Sequence, residues 1–244
     1  MAETYIPTRP FGRAAEDLEL DFNSDDRPAL ITSLLAACAE TRDEARWWRL
    51  RVSERIAALL KVLRETEQSE VLDLTLRCHH CKELFEIALR YDALDRLRTR
   101  ADDVQLRRSG NAPLVLRLPT GDDLRAWHTQ WPARREPAIE IILATLRVAG
   151  EILPGDAERA ADALAEADPL VSFSIACSCP NCGADVEPAV DLEAAALLRL
   201  AGHQRALLRQ VLALASRFGW SEQEIFAVAP ARRAKYLQMM GDVA

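Results

Sequence analysis

The stretches CHHC (residues 78–81) and CPNC (residues 179–182) decide the fold that this sequence predicts, and 97 residues separate them. Each is a Cys-x-x-Cys turn, which brings two thiolates within reach of one metal ion. Two such turns supply the closed tetrahedron of soft ligands that Zn²⁺ favours. We therefore predict a structural Zn²⁺ site whose ligands are Cys78, Cys81, Cys179 and Cys182. An ion held by four sulfurs has no open position for water, so its predicted role is scaffolding and not hydrolysis.

Both turns follow apolar, β-prone runs. Residues 71–76 (VLDLTL) precede the first turn, and residues 171–175 (VSFSI), which alternate strictly, precede the second. Each turn is therefore predicted to be the tip of a β-hairpin, and the two hairpins to form a zinc ribbon split by a long insertion. Three alternative ligands stay open, namely Cys177, His79 and His80. A reversible redox dithiol is the alternative interpretation of a single Cys-x-x-Cys turn.

The composition sets limits on the function. The chain has 244 residues, of which 49% are hydrophobic and 28% charged, as is typical of a folded protein with a sizeable core. Its net charge of −7 argues against a general nucleic-acid binder, because affinity for phosphates depends on accumulated Lys and Arg. The sequence has neither a secretory signal pattern nor an apolar run that could span a bilayer, so we expect a cytoplasmic protein. Reduced cysteines there favour metal binding over disulfides.

The predicted fold class is α+β and mostly helical. Residues 1–27 are rich in acids and are predicted to be a flexible arm, and residues 28–66 to be N-terminal helices. The split zinc ribbon occupies residues 67–190, with an α/β insert at about residues 90–168. Residues 191–244 are predicted to be a C-terminal helical region.

Hydrophobic periodicity predicts several individual helices. One runs from about residue 42 to 64 and contains the adjacent Trp47 and Trp48, which point about 100° apart, so we expect only one of them to be fully buried. Further helices are predicted at about 137–150 and 156–167.

The C-terminal region begins with one long predicted helix, residues 191–218. Gly202 in its middle indicates a kink or close packing, because glycine costs about 1 kcal/mol in a helix relative to alanine. Gly219 is expected to end the helix, and the SEQE stretch at residues 221–224 to open the next one as a capping box.

Catalytic motifs are missing from the sequence. It contains no Gly-rich phosphate loop, no His-Glu-x-x-His and no Gly-x-Ser-x-Gly elbow. Its carboxylates fall on amphipathic helices, where acids facing solvent are the ordinary case. We therefore predict that the protein is not an enzyme.

Residues 207–226 (LLRQVLALASRFGWSEQEIF) and 230–237 (PARRAKYL) closely resemble a known family. It is the baseplate (hub) assembly protein family of contractile phage tails and related contractile injection systems, of the T-even phage type. The first Cys-x-x-Cys turn, the LRLPTG stretch at residues 116–121 and the CPNCG knuckle occur in the same order. The resemblance therefore covers about residues 70–240.

This resemblance implies a non-enzymatic assembly factor or minor structural component of a contractile-tail baseplate or hub. Its partners would be baseplate, hub or spike proteins, with no nucleic acid or membrane, and the protein would stay cytoplasmic or be incorporated into the assembled particle. The candidate partner-binding residues are Trp220, Arg232, Arg233, Tyr236 and Leu237. Local packing is the alternative for the aromatic residues, and a solvated face for the basic ones. The alternative function is a zinc-ribbon regulator that binds nucleic acid.

Overall fold

The computed structural model describes residues 6–99, 101–108, 112–130 and 139–241. It confirms the predicted mixture of helices and strands, and about 53% of the described residues are helical. The helices are α1 (Arg27–Cys38), α2 (Glu44–Arg49), α3 (Val52–Glu67), α4 (Tyr91–Asp95), α5 (Gly121–Gln130), α6 (Ile139–Leu146), α7 (Asp156–Ala167), α8 (Leu192–Phe218), α9 (Glu222–Ala227) and α10 (Pro230–Gly241). The strands are β1 (Val71–Arg77), β2 (Leu84–Arg90), β3 (Asp103–Leu106), β4 (Leu114–Arg117), β5 (Arg147–Ala149), β6 (Cys177–Ser178) and β7 (Asp185–Val186). Within the described ranges, no helix has both the length and the apolar character that crossing a bilayer requires.

The larger hydrophobic core lies between α1, α3, α8 and the β1–β2 hairpin. Helix α3 is amphipathic, and its buried residues recur every three or four positions, which places Ile56, Leu59 and Leu63 on one face. Val186 of β7 and Cys179 of the turn between β6 and β7 join the same core, as does Phe173, which precedes β6. Both hairpins are therefore held against a common helical frame.

The N-terminal segment is folded onto this frame. A short 3₁₀ helix (Ala15–Glu19) carries Asp17, whose side chain is fully buried. The Asp17 carboxylate accepts hydrogen bonds from both terminal nitrogens of Arg9, each at 2.8 Å, and from the backbone N–H groups of Gly12, Arg13 and Ala14. Phe11 beside it is 4% exposed and belongs to the core.

The prediction of a flexible arm over residues 1–27 is therefore wrong for residues 6–26, while residues 1–5 lie outside the described residues. The amide of Gln204 in α8 donates hydrogen bonds to three backbone carbonyls of this segment, one of them that of Asp17. The acidic composition of residues 1–27 predicts a segment whose acids face solvent. In the fold one of those acids is an internal acceptor that organises the turn around it.

The predicted helix over residues 42–64 is two helices, α2 and α3, with a break at Leu50 and Arg51. The backbone at the break bonds to the insert: the N–H of Val52 donates to the carbonyl of Pro119 (3.0 Å), and the N–H of Gly121 donates to that of Leu50 (3.0 Å). The break therefore anchors the insert to the helical frame.

Trp47 is fully buried, with 1% of its surface exposed, whereas Trp48 is buried but keeps 8% exposed, which agrees with the expectation that only one of them is fully buried. Two guanidinium groups lie over the ring of Trp48. The Cζ atom of Arg55 lies 5.0 Å from its ring centroid, and that of Arg125 lies 4.8 Å away. Cation–π contacts therefore cover the ring where apolar side chains do not.

The insert has a second, smaller core, in which α6 and α7 pack on the antiparallel sheet β3–β4–β5. The helix predicted at 137–150 ends at Leu146, and residues 147–149 form β5 instead; residues 137–138 lie outside the described residues. A turn at Gly150 follows, with φ of 83°. A Cβ there would lie 2.4 Å from the carbonyl oxygen of Pro113. The close approach of these two backbone segments therefore requires glycine at position 150.

The long C-terminal helix matches its prediction. The side chain of Asp191 caps the start of α8 by accepting a bond from the N–H of Ala194 (2.9 Å). Gly219 ends the helix with a left-handed backbone (φ 69°), and Ser221 and Glu224 form the predicted capping box.

Candidate metal centre

The two Cys-x-x-Cys turns sit at the tips of two separate hairpins. Strands β1 and β2 pair over seven residues each, up to the pair Arg77↔Leu84, and the first turn closes this hairpin. The second hairpin is much shorter, because β6 and β7 pair over two residues each. Residues 171–175 do not form the predicted strand, and only Ser174 makes an isolated bridge. Pro188 lies opposite and has no N–H to donate, so the ladder is interrupted.

The first turn is held by two backbone hydrogen bonds. The N–H of Cys78 donates to the carbonyl of Glu83 (3.0 Å), and the N–H of Lys82 donates to the carbonyl of Cys78 (3.0 Å). Lys82 adopts a left-handed backbone with φ of 65°. This conformation turns the chain back toward β2 after the second cysteine.

The second turn has the same geometry. The N–H of Cys179 donates to the carbonyl of Ala184 (2.9 Å), and the N–H of Gly183 donates to the carbonyl of Cys179 (2.8 Å). Gly183 has φ of 71° and occupies the place that Lys82 has in the first turn. The two turns therefore present their cysteine pairs in the same way, although their sequences share only the cysteines.

The fold brings all four cysteine sulfurs together. They lie within 4.8 Å of one another. The Sγ atoms of Cys78 and Cys182 are 3.8 Å apart, and those of Cys81 and Cys179 are 3.7 Å apart. A regular tetrahedron with metal–sulfur bonds of about 2.3 Å has edges of about 3.8 Å. The cluster therefore has the dimensions of a four-thiolate metal site and could bind a metal ion.

The surroundings of the cluster promote the thiolate form of one ligand. Backbone N–H groups of Cys81 and His80 donate to the Cys78 sulfur and lower its pKa to about 6. The N–H of Glu83 acts in the same direction on Cys81, but burial and the three neighbouring sulfurs raise the pKa of Cys81 to about 12. Four thiolates this close repel one another, so a bound cation is what would stabilise all four in the deprotonated form.

The three alternative ligands lie outside the four-sulfur cluster. His79 and His80 are both exposed, and their rings contact each other with centroids 4.2 Å apart. Cys177 is half-buried on β6, opposite Val186.

Gly183→Ala is expected to lower the free energy of unfolding by about 1–2 kcal/mol, the cost of a left-handed backbone for a residue with a Cβ. Apart from the two residues adjacent in the chain, no atom of the described residues lies within 4 Å of the added methyl group, so crowding does not contribute. Because the sulfurs are untouched, the metal content should not change. The measurement is urea unfolding with metal analysis of the same samples.

Gly202→Ala is the matched control, and its expected effect has the opposite sign. Gly202 is inside α8, where alanine is favoured over glycine by about 1 kcal/mol. The added Cβ would meet only the flexible end of Arg205, 4.0 Å away, so close packing does not explain this glycine. Destabilisation of similar size by both variants would contradict the assignment of the Gly183 effect to its backbone.

The candidate partner-binding residues fall into two groups. Trp220 and Tyr236 form an aromatic cluster with Phe218 at the end of α8: the ring of Trp220 stacks on Phe218 with centroids 4.9 Å apart and meets the edge of Tyr236 at 5.6 Å. Trp220 and Tyr236 are half-buried, and Leu237 on α10 is half-buried as well. Arg232 is exposed.

Arg233 does not match its predicted role. It is 2% exposed, and its Cζ atom lies 5.0 Å from the ring centroid of Phe226. Burial lowers the pKa of Arg233, and the charge of Arg13 lowers it further. The side chain faces inward because it covers the α9 ring, so it is not presented to a partner.

A cavity of about 570 Å³ lies between α3 and α4. Its apolar lining includes Trp47, Leu50 and Leu94. Three acids and three bases also line it, namely Glu54, Glu65, Asp95, Lys61, Arg64 and Arg98. These balanced charges give no preference for an anion or a cation.

Comparison of the chain with protein-family models, with curated proteins and with solved structures gives no match.

Proposed function

We propose that this protein is a non-enzymatic assembly factor or minor structural component of the baseplate or hub of a contractile tail. It would act through protein–protein contacts made by a scaffold that Zn²⁺ stabilises. The observation that carries the proposal is the convergence of four sulfurs from two turns 98 residues apart into a cluster of tetrahedral dimensions.

Zinc is the proposed ion because four thiolates in a tetrahedron are the ligand set of structural zinc sites. In this proposal the two hairpins are the halves of a zinc ribbon, and the ion supplies the link between two otherwise separate two-stranded sheets. Four sulfurs leave no open coordination position, which supports a role in holding the fold and not in catalysis.

The proposed partners are baseplate, hub or spike proteins of a contractile tail. The support is the resemblance of residues 207–226 and 230–237 to the baseplate (hub) assembly family. The aromatic cluster of Phe218, Trp220 and Tyr236 fixes α10 against the end of α8, which would give the C-terminal helices one defined docking surface.

One test is to co-express this protein with the tail proteins encoded at the same locus and to purify it. A second test is to delete its gene and look for assembled particles. Co-purification of a hub, spike or baseplate protein and a loss of assembled particles on deletion are the expected results. Trp220→Ala should weaken the complex without changing the zinc content. If no tail protein co-purifies and particles assemble normally without the chain, the proposed function is wrong.

The alternative is a zinc-ribbon regulator that binds nucleic acid. One observation favours it, because exposed basic residues recur on α8 and α10, among them Arg205, Arg209, Arg232 and Lys235. The net charge of −7 opposes it. A gel-shift titration with duplex DNA and with RNA at several salt concentrations separates the two functions, since phosphate binding weakens steeply as salt rises.

A further inference from the structure

One face of α8 exposes leucines that the fold leaves uncovered. Leu198 is 70% exposed, Leu208 45% and Leu212 69%. They are three of the eight large apolar side chains that are exposed among the described residues. Isolated exposed leucines are ordinary, whereas several on one face of one helix indicate a binding surface.

The spacing of these leucines places them on one side of α8, where the small buried Ala201 lies between Leu198 and Arg205. Leu198, Arg205 and Leu212 are seven residues apart, and Leu208 follows Arg205 by three. Spacings of three and four keep side chains on one face, as in the seam of a coiled coil. At about 100° per residue, the stripe lies roughly 140° around the helix from the buried face. That buried face is formed by Leu192, Ala196, Leu200, Gln204, Leu207 and Leu214, whereas a seventh buried residue, Ala201, lies on the side of the leucines.

This stripe is basic as well as apolar. Helix α8 has no Asp or Glu after Glu193. Arg205 and its neighbour Arg209 are exposed, and neither forms an ion pair within the part of the chain that the structure describes. Arg199, in contrast, bonds Glu67 (2.6 Å). We call the surface made by Leu198, Arg205, Leu208, Arg209 and Leu212 the outer face of α8.

We propose that the outer face of α8 binds an amphipathic α-helix of a partner protein whose apolar stripe is flanked by Asp and Glu. The apolar stripe would cover the three leucines, and the acids would pair with Arg205 and Arg209. A second copy of the same face is the wrong occupant, because it would bring these arginines against their counterparts, and like charges across an interface are unfavourable. The assignment deepens the proposed function and rests on it only for the identity of the partner.

The test uses the full-length zinc-loaded protein and two labelled synthetic helices of about three heptads. Both have leucine at positions a and d; one has glutamate at e and g, and the other has lysine there. Fluorescence anisotropy is measured at peptide concentrations where each peptide alone is monomeric. We expect the acidic helix to bind about tenfold or more tightly than the basic one.

Three variants locate the binding surface. Leu212→Ser should weaken binding of the acidic helix about tenfold, while the matched control Leu84→Ser, in β2 and 55% exposed, should leave it unchanged. The double variant Arg205→Glu/Arg209→Glu should reverse the preference and favour the basic helix. All these side chains are exposed, so urea unfolding should show a folded protein in each case.

Equal binding of the two helices, or binding that Leu212→Ser does not weaken, would overturn the proposal. So would self-association of the chain that Leu212→Ser abolishes, because the occupant would then be a second copy. The assay contains no tail protein, so its result is independent of the co-purification test. Binding of the acidic helix together with failed co-purification would leave the outer face assigned and the proposed function wrong.

Discussion

Replacing Cys179 by serine is expected to abolish stoichiometric zinc binding and to lower the free energy of unfolding by more than about 3 kcal/mol. Structural zinc contributes about 10–16 kcal/mol in small zinc-binding peptides, which is comparable to the whole stability of a typical domain, about 5–15 kcal/mol. Cys179 is 1% exposed, and its sulfur lies 3.7 Å from that of Cys81. The substitution therefore removes a buried sulfur from the four-sulfur cluster. Metal analysis and urea unfolding measure the two effects.

Cys177→Ser is the matched control for this variant. Cys177 is two residues away and half-buried but lies outside the four-sulfur cluster, so the same substitution should leave one zinc ion per chain and an unchanged urea midpoint. Titration of the wild-type protein with a strong chelator provides a second measurement that needs no mutation. A wild-type chain that stays folded and keeps its midpoint after complete chelation would show that the metal does not hold the fold.

Asp17→Ala is expected to lower the free energy of unfolding by about 3–5 kcal/mol, the range found when one partner of a buried ion pair is removed. The Asp17 side chain has no exposed surface and accepts bonds from Arg9 and from three backbone N–H groups. Its loss leaves the three backbone N–H groups without an acceptor and leaves Arg9 only its bonds to the carbonyls of Pro10 and Ala37, so residues 6–26 should detach first. Hydrogen exchange measured peptide by peptide should rise most in that segment.

Glu16→Ala is the matched control for Asp17. Glu16 is the adjacent acid, its side chain is 47% exposed, and it pairs with Arg42 at 3.2 Å. A solvated pair of this kind contributes little, so the urea midpoint and the exchange rates should stay close to those of the wild type. Comparable effects of the two variants would mean that the charge of the segment, and not the internal acceptor at Asp17, fixes it in place.

The sequence predicts best those features whose cause is local. The cysteine turns are set by ligand spacing, and the start and end of α8 by Asp191 and by Gly219, so each can be recognised from a few adjacent residues. The same holds for the hairpin at residues 71–90, where alternating residues lead into a turn. In each of these features, the contacts that determine the local structure join residues that are close together in the sequence.

The features that the sequence does not predict depend on distant contacts. The break between α2 and α3 follows from hydrogen bonds to residues 119–121, and β5 forms because β4 offers an unpaired edge. Asp17 looks like one acid in a solvated run, and its burial depends on the packing of its segment against α8, where Gln204 donates to the Asp17 carbonyl. The outer face of α8 was missed although Leu198, Leu208 and Leu212 lie off the buried stripe of the helix, because their exposure becomes visible only when the core is assembled.

The separation of the two cysteine turns also has a consequence for how the protein is made. A ribosome adds about 5–20 residues per second, so the first two thiols emerge roughly 5–20 s before Cys179, 98 residues later, can join them. During that interval Cys78 and Cys81 are two ligands of the proposed zinc site without the other two. For the proposed site to form, these two thiols have to stay reduced and free of other thiol-binding ions until translation delivers the second pair.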